Sequence, residues 1–342
     1  KMSRKQYNVT VPRMPGQSPY SDNMTFDAAA VSGGLAFLTS ELEKLDPQLR
    51  EPLTSTNYPR DIDIESGGGW VEATSAMNVD YAVTGGQGDG VGGVQNNIRR
   101  IQANLSKDLY KVMPYEVAMS VKIQDVLRGG VTGRSLESIY ETGIRLDYDK
   151  YMDINTYLGQ TAYGTTGLLN NKQITAVSVA VGASGQTAWK NKTPKEILDD
   201  VDEAIMAAWG ASDYDNRAIP NHILIDPISY AYINRTIISV TGTDGAVSIL
   251  KYLVDNNIAV NKDIDLFIGE SKFCAGAGVG GTNRMVAYVN NKTYVGMDVP
   301  VPMSRIITMP NINSATYDSL YMANVGEVKV HYVEPFIYRD GI

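Results

Sequence analysis

The sequence predicts an α+β fold, and three observations carry that reading. Tyr115, Val117, Met119, Val121 and Ile123 alternate with Glu116, Ala118, Ser120 and Lys122, the pattern of a half-buried strand. From Ser135 to about Gln160, residues Leu136, Ile139, Tyr140, Ile144, Tyr148, Tyr151, Ile154 and Leu158 recur at spacings of three and four. Such spacing predicts one long helix, about 38 Å in length for about 25 residues, with Asp147, Asp149, Lys150 and Asp153 on its solvated side. Between Leu168 and Pro310 helical and strand-like stretches alternate, opening on Thr193-Pro-Lys-Glu196, a capping threonine followed by proline at the first helical position and glutamate three after the cap.

Read in order, the first 21 residues carry Lys1, Arg4, Lys5 and Arg13, no acid and three prolines, which predicts an extended arm with no core of its own. Val31, Leu35, Leu38, Leu42 and Leu45 then form the apolar stripe of a helix from about Asp27 to Leu45. From Tyr58 to Asn97 the chain turns strand-like and glycine-rich. Asp61-Ile-Asp-Ile-Glu65 alternates, Gly67-Gly-Gly69 turns the chain, Val71–Val83 is extended and Gly85–Gly93 forms a loop. Few large apolar residues lie here, so a projecting two-stranded excursion that rests on another surface is expected. A turn through Gly129, Gly130 and Gly133 precedes the long helix. After the capped helix, whose apolar face runs from Ile197 to Trp209, come a buried strand at His222–Ile225, helical segments near Ile228–Ile238 and Ala246–Asp255, and strands near Ile264–Ile268 and Met285–Val289. Asp318–Tyr338 is again extended.

The chain has 342 residues, with 30 basic and 38 acidic side chains for a net charge of −8. That balance argues against sequence-reading nucleic-acid contacts but suits a wall that repels phosphate. One cysteine, Cys274, excludes an intramolecular disulfide framework and favours synthesis inside the cell. No apolar run approaches the roughly 20 residues of a membrane helix, so no membrane contact and no signal peptide are expected. The 21 tyrosines against five phenylalanines suit half-buried surfaces and interfaces.

Motifs with chemical meaning each meet a structural explanation. Asp61, Asp63 and Glu65, with Glu72 at the twelfth position, imitate calcium-loop spacing, but Ser66 replaces the turn glycine and isoleucines intervene. A strand with one acidic face is expected, and no metal. Gly88, Gly90, Gly93 and Gly276, Gly278, Gly281 fit a nucleotide-loop spacing without a following helix, so no cofactor is assigned. His222 begins a buried strand, His331 and Glu334 point to opposite faces, and Cys274 has no histidine near it in sequence. Asp199, Asp200, Asp202 and Glu203 suit the first half of a helix. Trp189-Lys-Asn-Lys192 with Lys195 is an aromatic-basic patch able to touch a phosphate backbone or to form a helix entry. No catalytic residue emerges.

A basic arm, glycine-rich excursion, strand, long helix, Gly167-Leu-Leu-Asn-Asn171 exit, compact α/β stretch and returning strand stand in an order that resembles the major capsid proteins of tailed bacteriophages. That fold is shared with encapsulin nanocompartments. The resemblance rests on Ser135–Gln160 as a spine helix, Gly167–Asn171 as the exit into an axial domain, Thr193–Glu196 with Pro220-Asn-His-Ile-Leu-Ile-Asp-Pro227 inside it, and Glu334-Pro-Phe-Ile337 as the strand returning to the peripheral domain. It implies an arm and helix at 1–56, an extended loop at 57–100, a peripheral domain at 101–166, an axial domain at 167–310 and a return strand at 311–342. It further implies a virion subunit made in the host bacterial cytoplasm, assembling in many copies as pentamers and hexamers. Portal and scaffolding or decoration proteins would be its partners, with double-stranded DNA enclosed without sequence specificity.

Subunit-interface candidates are Asp61, Asp63, Glu65, Trp70, Glu72, Arg99 and Arg100. Residues 60–98 carry six acids against Arg60, so an acidic loop packing on a neighbour's basic surface is expected to set register. Some relatives cross-link through a lysine on this loop; none occurs from Asp61 to Ile98, so non-covalent contacts are expected at that position. Three other readings stand beside this one: an encapsulin-like shell, a soluble calcium-binding or hydrolytic module, and a tube or decoration protein.

Overall fold

The computed structural model describes residues 9–10, 23–24, 52, 54–84, 100–132, 136–239 and 246–342. The expected helix at 27–45, the glycine loop at 85–93 and Arg99 lie outside them. The chain divides into two compact units, Lys1–Thr54 and Ser55–Ile342. In the first, β1 (Val9–Thr10) pairs antiparallel with β2 (Asn23–Met24). The other described elements belong to the second.

In chain order the second unit holds α1 (Tyr58–Asp61), β3 (Asp63–Ser66), β4 (Ala73–Thr84), β5 (Arg100–Lys122), α2 (Ile123–Thr132), α3 (Leu136–Tyr157), β6 (Ala176–Ser178), α4 (Pro194–Ala211), β7 (His222–Ile225) and α5 (Pro227–Arg235). Next come β8 (Ile237–Ser239), β9 (Ala246–Ser248), α6 (Ile249–Asp255), β10 (Phe267–Glu270), β11 (Arg284–Tyr288), β12 (Val295–Val299), β13 (Val301–Asn311), β14 (Thr316–Gly326), β15 (Val328–Val330) and β16 (Ile337–Asp340).

A five-stranded mixed sheet, ordered β10-β7-β11-β16-β6, divides two hydrophobic cores. Because side chains alternate across a strand, Ile223 and Ile225 of β7 and Met285 and Ala287 of β11 enter one core. Leu224, Val286 and Tyr288 enter the other. Burial on both faces explains why His222–Ile225 reads as a continuous apolar run instead of alternating. Helix α4 covers the first face through Ile197, Val201, Ala204 and Ile205. Its start is the expected capping box: the Thr193 hydroxyl accepts from the Glu196 amide at 3.4 Å, and the Glu196 carboxylate accepts from the Thr193 amide at 2.7 Å.

Two placements differ from the sequence reading. The strand at Ile337–Asp340 does not join the sheet of β14; it sits inside the five-stranded sheet, antiparallel to β11 and parallel to β6. Alternation alone cannot tell which of two sheets a strand enters. The chain at 129–130, read as a turn, lies near the end of helix α2, where fraying makes glycine least costly.

Helix α3 is long, as the spacing predicts, and Ile144, Tyr148 and Tyr151 of the expected stripe face the cores, but toward its C-terminal end the buried face shifts. Ile154 and Leu158 are exposed, whereas Asp153, Asn155 and Thr156 are buried beside Met152 and Tyr157. The polar residues are buried with at least one partner each, Thr156 meeting only the Met297 sulfur at 3.7 Å, while the Asn155 side-chain oxygen has none. Asp153 accepts from the Asn57 amide at 3.1 Å and pairs with Lys272 at 3.0 Å, and Asn155 donates to the Gly326 carbonyl at 3.0 Å.

The end of α3 shows what the Gly-Leu-Leu-Asn phrase does. Gly159 takes a left-handed φ of +69° and stops the helix, with its amide on the Asn155 carbonyl. The chain then doubles back, so that the Leu168 and Leu169 amides donate to the Thr156 and Tyr157 carbonyls at 2.8 and 3.0 Å. Asn170 clamps this return, accepting from the Gly167 amide and donating to the Leu158 carbonyl, both at 2.7 Å. A β-carbon on Gly167 would lie 2.4–2.6 Å from backbone atoms of Tyr157 and Leu158. Gly167→Ala is therefore expected to destabilise by about 2–3 kcal/mol, since backbone must move to admit the methyl. Urea melts of the purified variant would measure it; an unchanged midpoint would mean that this close approach is not maintained in solution.

Strand β5 is a single 23-residue strand that changes partners midway. In the strand order β13-β14-β5-β4, its C-terminal part, from Val112, pairs with β14, with Val112 opposite Gly326. Its N-terminal part pairs only with β4, from Ala73↔Lys111 to Thr84↔Arg100. The excursion thus returns along residues 100–111, beyond the boundary at 100 drawn from the sequence. A three-stranded sheet, β15-β12-β3, lies at its foot.

Candidate assembly interface

A buried polar joint in the body of the second unit is built around Asp61. This carboxylate is fully buried at the end of α1. It accepts from Arg60 Nε at 2.7 Å, from His222 Nε2 at 3.0 Å and from the Tyr157 hydroxyl. Its backbone carbonyl accepts from the Tyr288 hydroxyl at 2.5 Å. Burial would raise the Asp61 carboxyl, but the hydrogen bonds from His222, Arg60 and Tyr157 outweigh it and hold the group below its ordinary 3.8. An ionised carboxylate only accepts, so His222 carries its proton on Nε2. The joint binds α1, the end of α3, β7 and β11 together. Arg60 extends it to β10 through the Glu270 carbonyl at 2.8 Å and lies over the Phe267 ring.

A second buried joint fixes the exit from α3 to the sheet. Arg284 makes a two-pronged pair with Asp340, at 2.6 and 2.8 Å, and donates to the Leu169 carbonyl at 2.6 Å. Its guanidinium lies over Tyr338, whose hydroxyl donates to the Leu168 carbonyl at 2.7 Å.

The hairpin itself is amphipathic. In an antiparallel pair, opposed residues share a face. Ser75, Met77, Val79 and Tyr81 therefore share a face with Leu109, Lys107, Leu105 and Ala103, and Ile101 lies on it too. Thr74, Ala76, Asn78 and Asp80 share the other with Tyr110, Asp108, Ser106 and Asn104. The first face is apolar and open: Met77 is 77 % exposed, Tyr81 73 %, Leu105 75 % and Ile101 71 %. Interrupted only by Ser75 and Lys107, this largely apolar ribbon is a candidate interaction surface.

Of the residues proposed from sequence, Asp63, Glu65, Trp70, Glu72 and Arg100 are exposed. Asp63 accepts from the Lys292 amide at 3.1 Å. Asp61 is not on their acidic face: α1 ends at Asp61 before the strand begins, and its side chain turns inward to the joint. The patch at Trp189–Lys192 is likewise not a nucleic-acid surface. Trp189 and Lys192 are buried, donating to Asp200 at 2.9 and 2.5 Å. Of the four carboxylates on α4, Asp200 thus serves a buried pair and Glu203 meets Arg339 at 2.9 Å. Cys274 is buried, and burial pushes its thiol well above the ordinary range. Gly276–Gly281 leads into β11, a strand. Among the described residues no group of three or more His, Cys, Asp or Glu side chains could hold a metal ion, and no helix is long and apolar enough to cross a membrane.

A cross-braced body with a projecting, one-sided apolar ribbon defines a shell-building subunit, and the likenesses agree. The fold matches the capsid of Myoviridae phage XM1 with a TM-score of 0.72 at 17 % identity, over 89 % of this chain and 98 % of that one. It matches the capsid of a native GTA particle at 0.59 and 10 % identity, over 92 % and 98 %. A virus-like particle from Pyrococcus furiosus matches at 0.50 and 12 %, over 82 % and 91 %. No curated protein matches in sequence. The family model described as major capsid protein matches residues 86–342, and the chain belongs to that family. It is a major capsid protein of phage heads, a structural protein of the virion capsid.

Proposed function

We propose that this subunit assembles into pentamers and hexamers of a closed icosahedral head that encloses double-stranded DNA, with the hairpin of β4 and β5 laid apolar face down on a neighbouring copy. The observation that carries this reading is the ribbon's exposed apolar face, which nothing in its own described chain covers. Exposed Asp63, Glu65, Trp70, Glu72 and Arg100 surround the ribbon's foot and its far end and act as rim contacts that set register. The net charge of −8 suits a wall along which packaged DNA is held without base contacts. Portal and scaffolding or decoration proteins would be its partners, and assembly would take place in the host cytoplasm.

Electron microscopy of the full chain expressed alone tests the reading. Closed shells of uniform size support it, and open tubes or persistent monomers with scaffold present oppose it. The Pyrococcus furiosus likeness keeps one second reading, an encapsulin-like compartment. Nuclease-protected DNA inside natural particles separates the two, because a compartment would hold protein cargo instead.

A further inference from the structure

We propose that one internal water molecule is a fixed part of this fold, bound between Asp226 and Ser271 where strands β7 and β10 end. The two strands run parallel, with Glu270 opposite Ile225, and the Ser271 amide still donates to the Ile225 carbonyl at 2.8 Å. Asp226 and Ser271 are the next positions along each strand. Both keep extended backbone, at φ −69°, ψ 151° and φ −136°, ψ 127°. Side chains therefore still alternate, and Asp226 falls on the face of Leu224, two residues before it. Ser271 shares that face, just as Ile268 and Ile223, also opposed, share the other core. Beyond this point the strands part, β7 into α5 and β10 into the turn at Lys272–Cys274.

Asp226 and Ser271 are shut off from solvent, at 0 % and 1 % exposure. Asp226 uses Oδ2 to cap α5, accepting from the Ile228 and Ser229 amides at 3.2 and 3.1 Å. Among the described residues neither its Oδ1 nor the Ser271 hydroxyl has a protein partner, so the two do not bond one another. A carboxylate oxygen and a hydroxyl both buried and unmet would be costly, and native interiors avoid it. Neighbouring strands stand about 4.8 Å apart, a span that one molecule bridges at about 2.8 Å from each oxygen. Water has the right chemistry: it donates to the carboxylate oxygen and either gives to or takes from the hydroxyl. The Cys274 thiol, buried in the same core as Leu224, supplies a third polar neighbour, and its amide donates to the Ser271 carbonyl at 3.1 Å. Three partners are usual for an internal water. The water thus continues a ladder that the main chains have stopped making, and ties the start of α5 to the turn that carries Cys274.

This site goes beyond the assembly reading, and its test holds whether or not shells form. A high-resolution crystal or particle map of the full chain should show one peak about 2.6–3.2 Å from both Asp226 Oδ1 and Ser271 Oγ. In solution, the amides of Ser271 and Cys274 should show NMR cross-relaxation from a long-lived bound water. Ser271→Ala gives a test of sign. With the bridge present, losing the hydroxyl should raise the unfolding equilibrium constant about tenfold; with no bridge, removing an unmet hydroxyl leaves stability unchanged or improves it. No peak in a map that resolves other internal waters, a direct bond between Asp226 and Ser271, or a Ser271→Ala variant as stable as wild type would each overturn the proposal. So would a peak that strengthens when thallium replaces sodium, which marks a cation. Should the alanine variant not fold, the wild-type map and cross-relaxation still decide.

Discussion

Asp61→Ala is expected to cost about 3–5 kcal/mol of folding stability, because it deprives buried His222 and Tyr157 of their acceptor and frees Arg60 from the joint. Few single changes in the chain should cost more. The loss would appear as a fall in the denaturant midpoint and as poor yield of soluble protein. A companion effect is acid lability. The folded Asp61 carboxyl lies below its unfolded value of 3.8, so its contribution is complete above that value and is lost as pH falls through the lower, folded one. Wild type should therefore lose stability steeply below 3.8, and Asp61→Asn should lose much less over the same range. Equal acid sensitivity in both would place the titrating group elsewhere.

The second large effect concerns assembly and should spare the fold. Val79 and Leu105 oppose one another on the apolar ribbon, 44 % and 75 % exposed. Changing both to threonine, which suits a strand and sets no like charges opposite one another, is expected to move the melting free energy by no more than about 0.5 kcal/mol, as for most surface changes. Each apolar side chain buried against a neighbour contributes about 1.5–3 kcal/mol. Losing two should raise the concentration needed for shells by about a hundredfold or more. Light scattering and electron microscopy of the folded variant would read this directly. Gln102→Glu, on the opposite face, is the control and should assemble normally. Intact shells from the double variant would remove the ribbon from the interface.

Much of this is legible in the amino-acid sequence. The long helix, the capped helix at Thr193, the buried strand at His222 and the order of elements follow from periodicity and end signals, which are local. The rest depends on pairing between distant segments, which local signals do not carry. Asp61 reads as the first of three acids on one strand face, and only the meeting with His222, Tyr157 and Tyr288 turns it inward. Trp189 and Lys192 read as a surface patch because nothing local shows that Asp200, eight residues beyond Lys192, faces them. The ribbon's apolar face leaves a signal in the alternation Met77, Val79, Tyr81 and Ile101, Ala103, Leu105. An alternating segment that waits for a partner copy reads the same as one half-buried in its own core.

The place of β16 sets a timetable for the chain. This strand alone joins β6 to the rest of the five-stranded sheet, and it meets residues made long before it: Tyr338 bonds Leu168 across 170 positions, and Asp340 pairs with Arg284 across 56. The ribosome can finish the β4–β5 ribbon, a neighbour-to-neighbour hairpin, well before residues 337–340 exist. The body that must hold the ribbon steady is locked only when that late strand threads between β11 and β6. Each copy accordingly spends part of its synthesis with a sticky surface displayed and its frame unlocked. That interval is when a chaperone or scaffold would matter most, and a slow, high-separation closure makes it long.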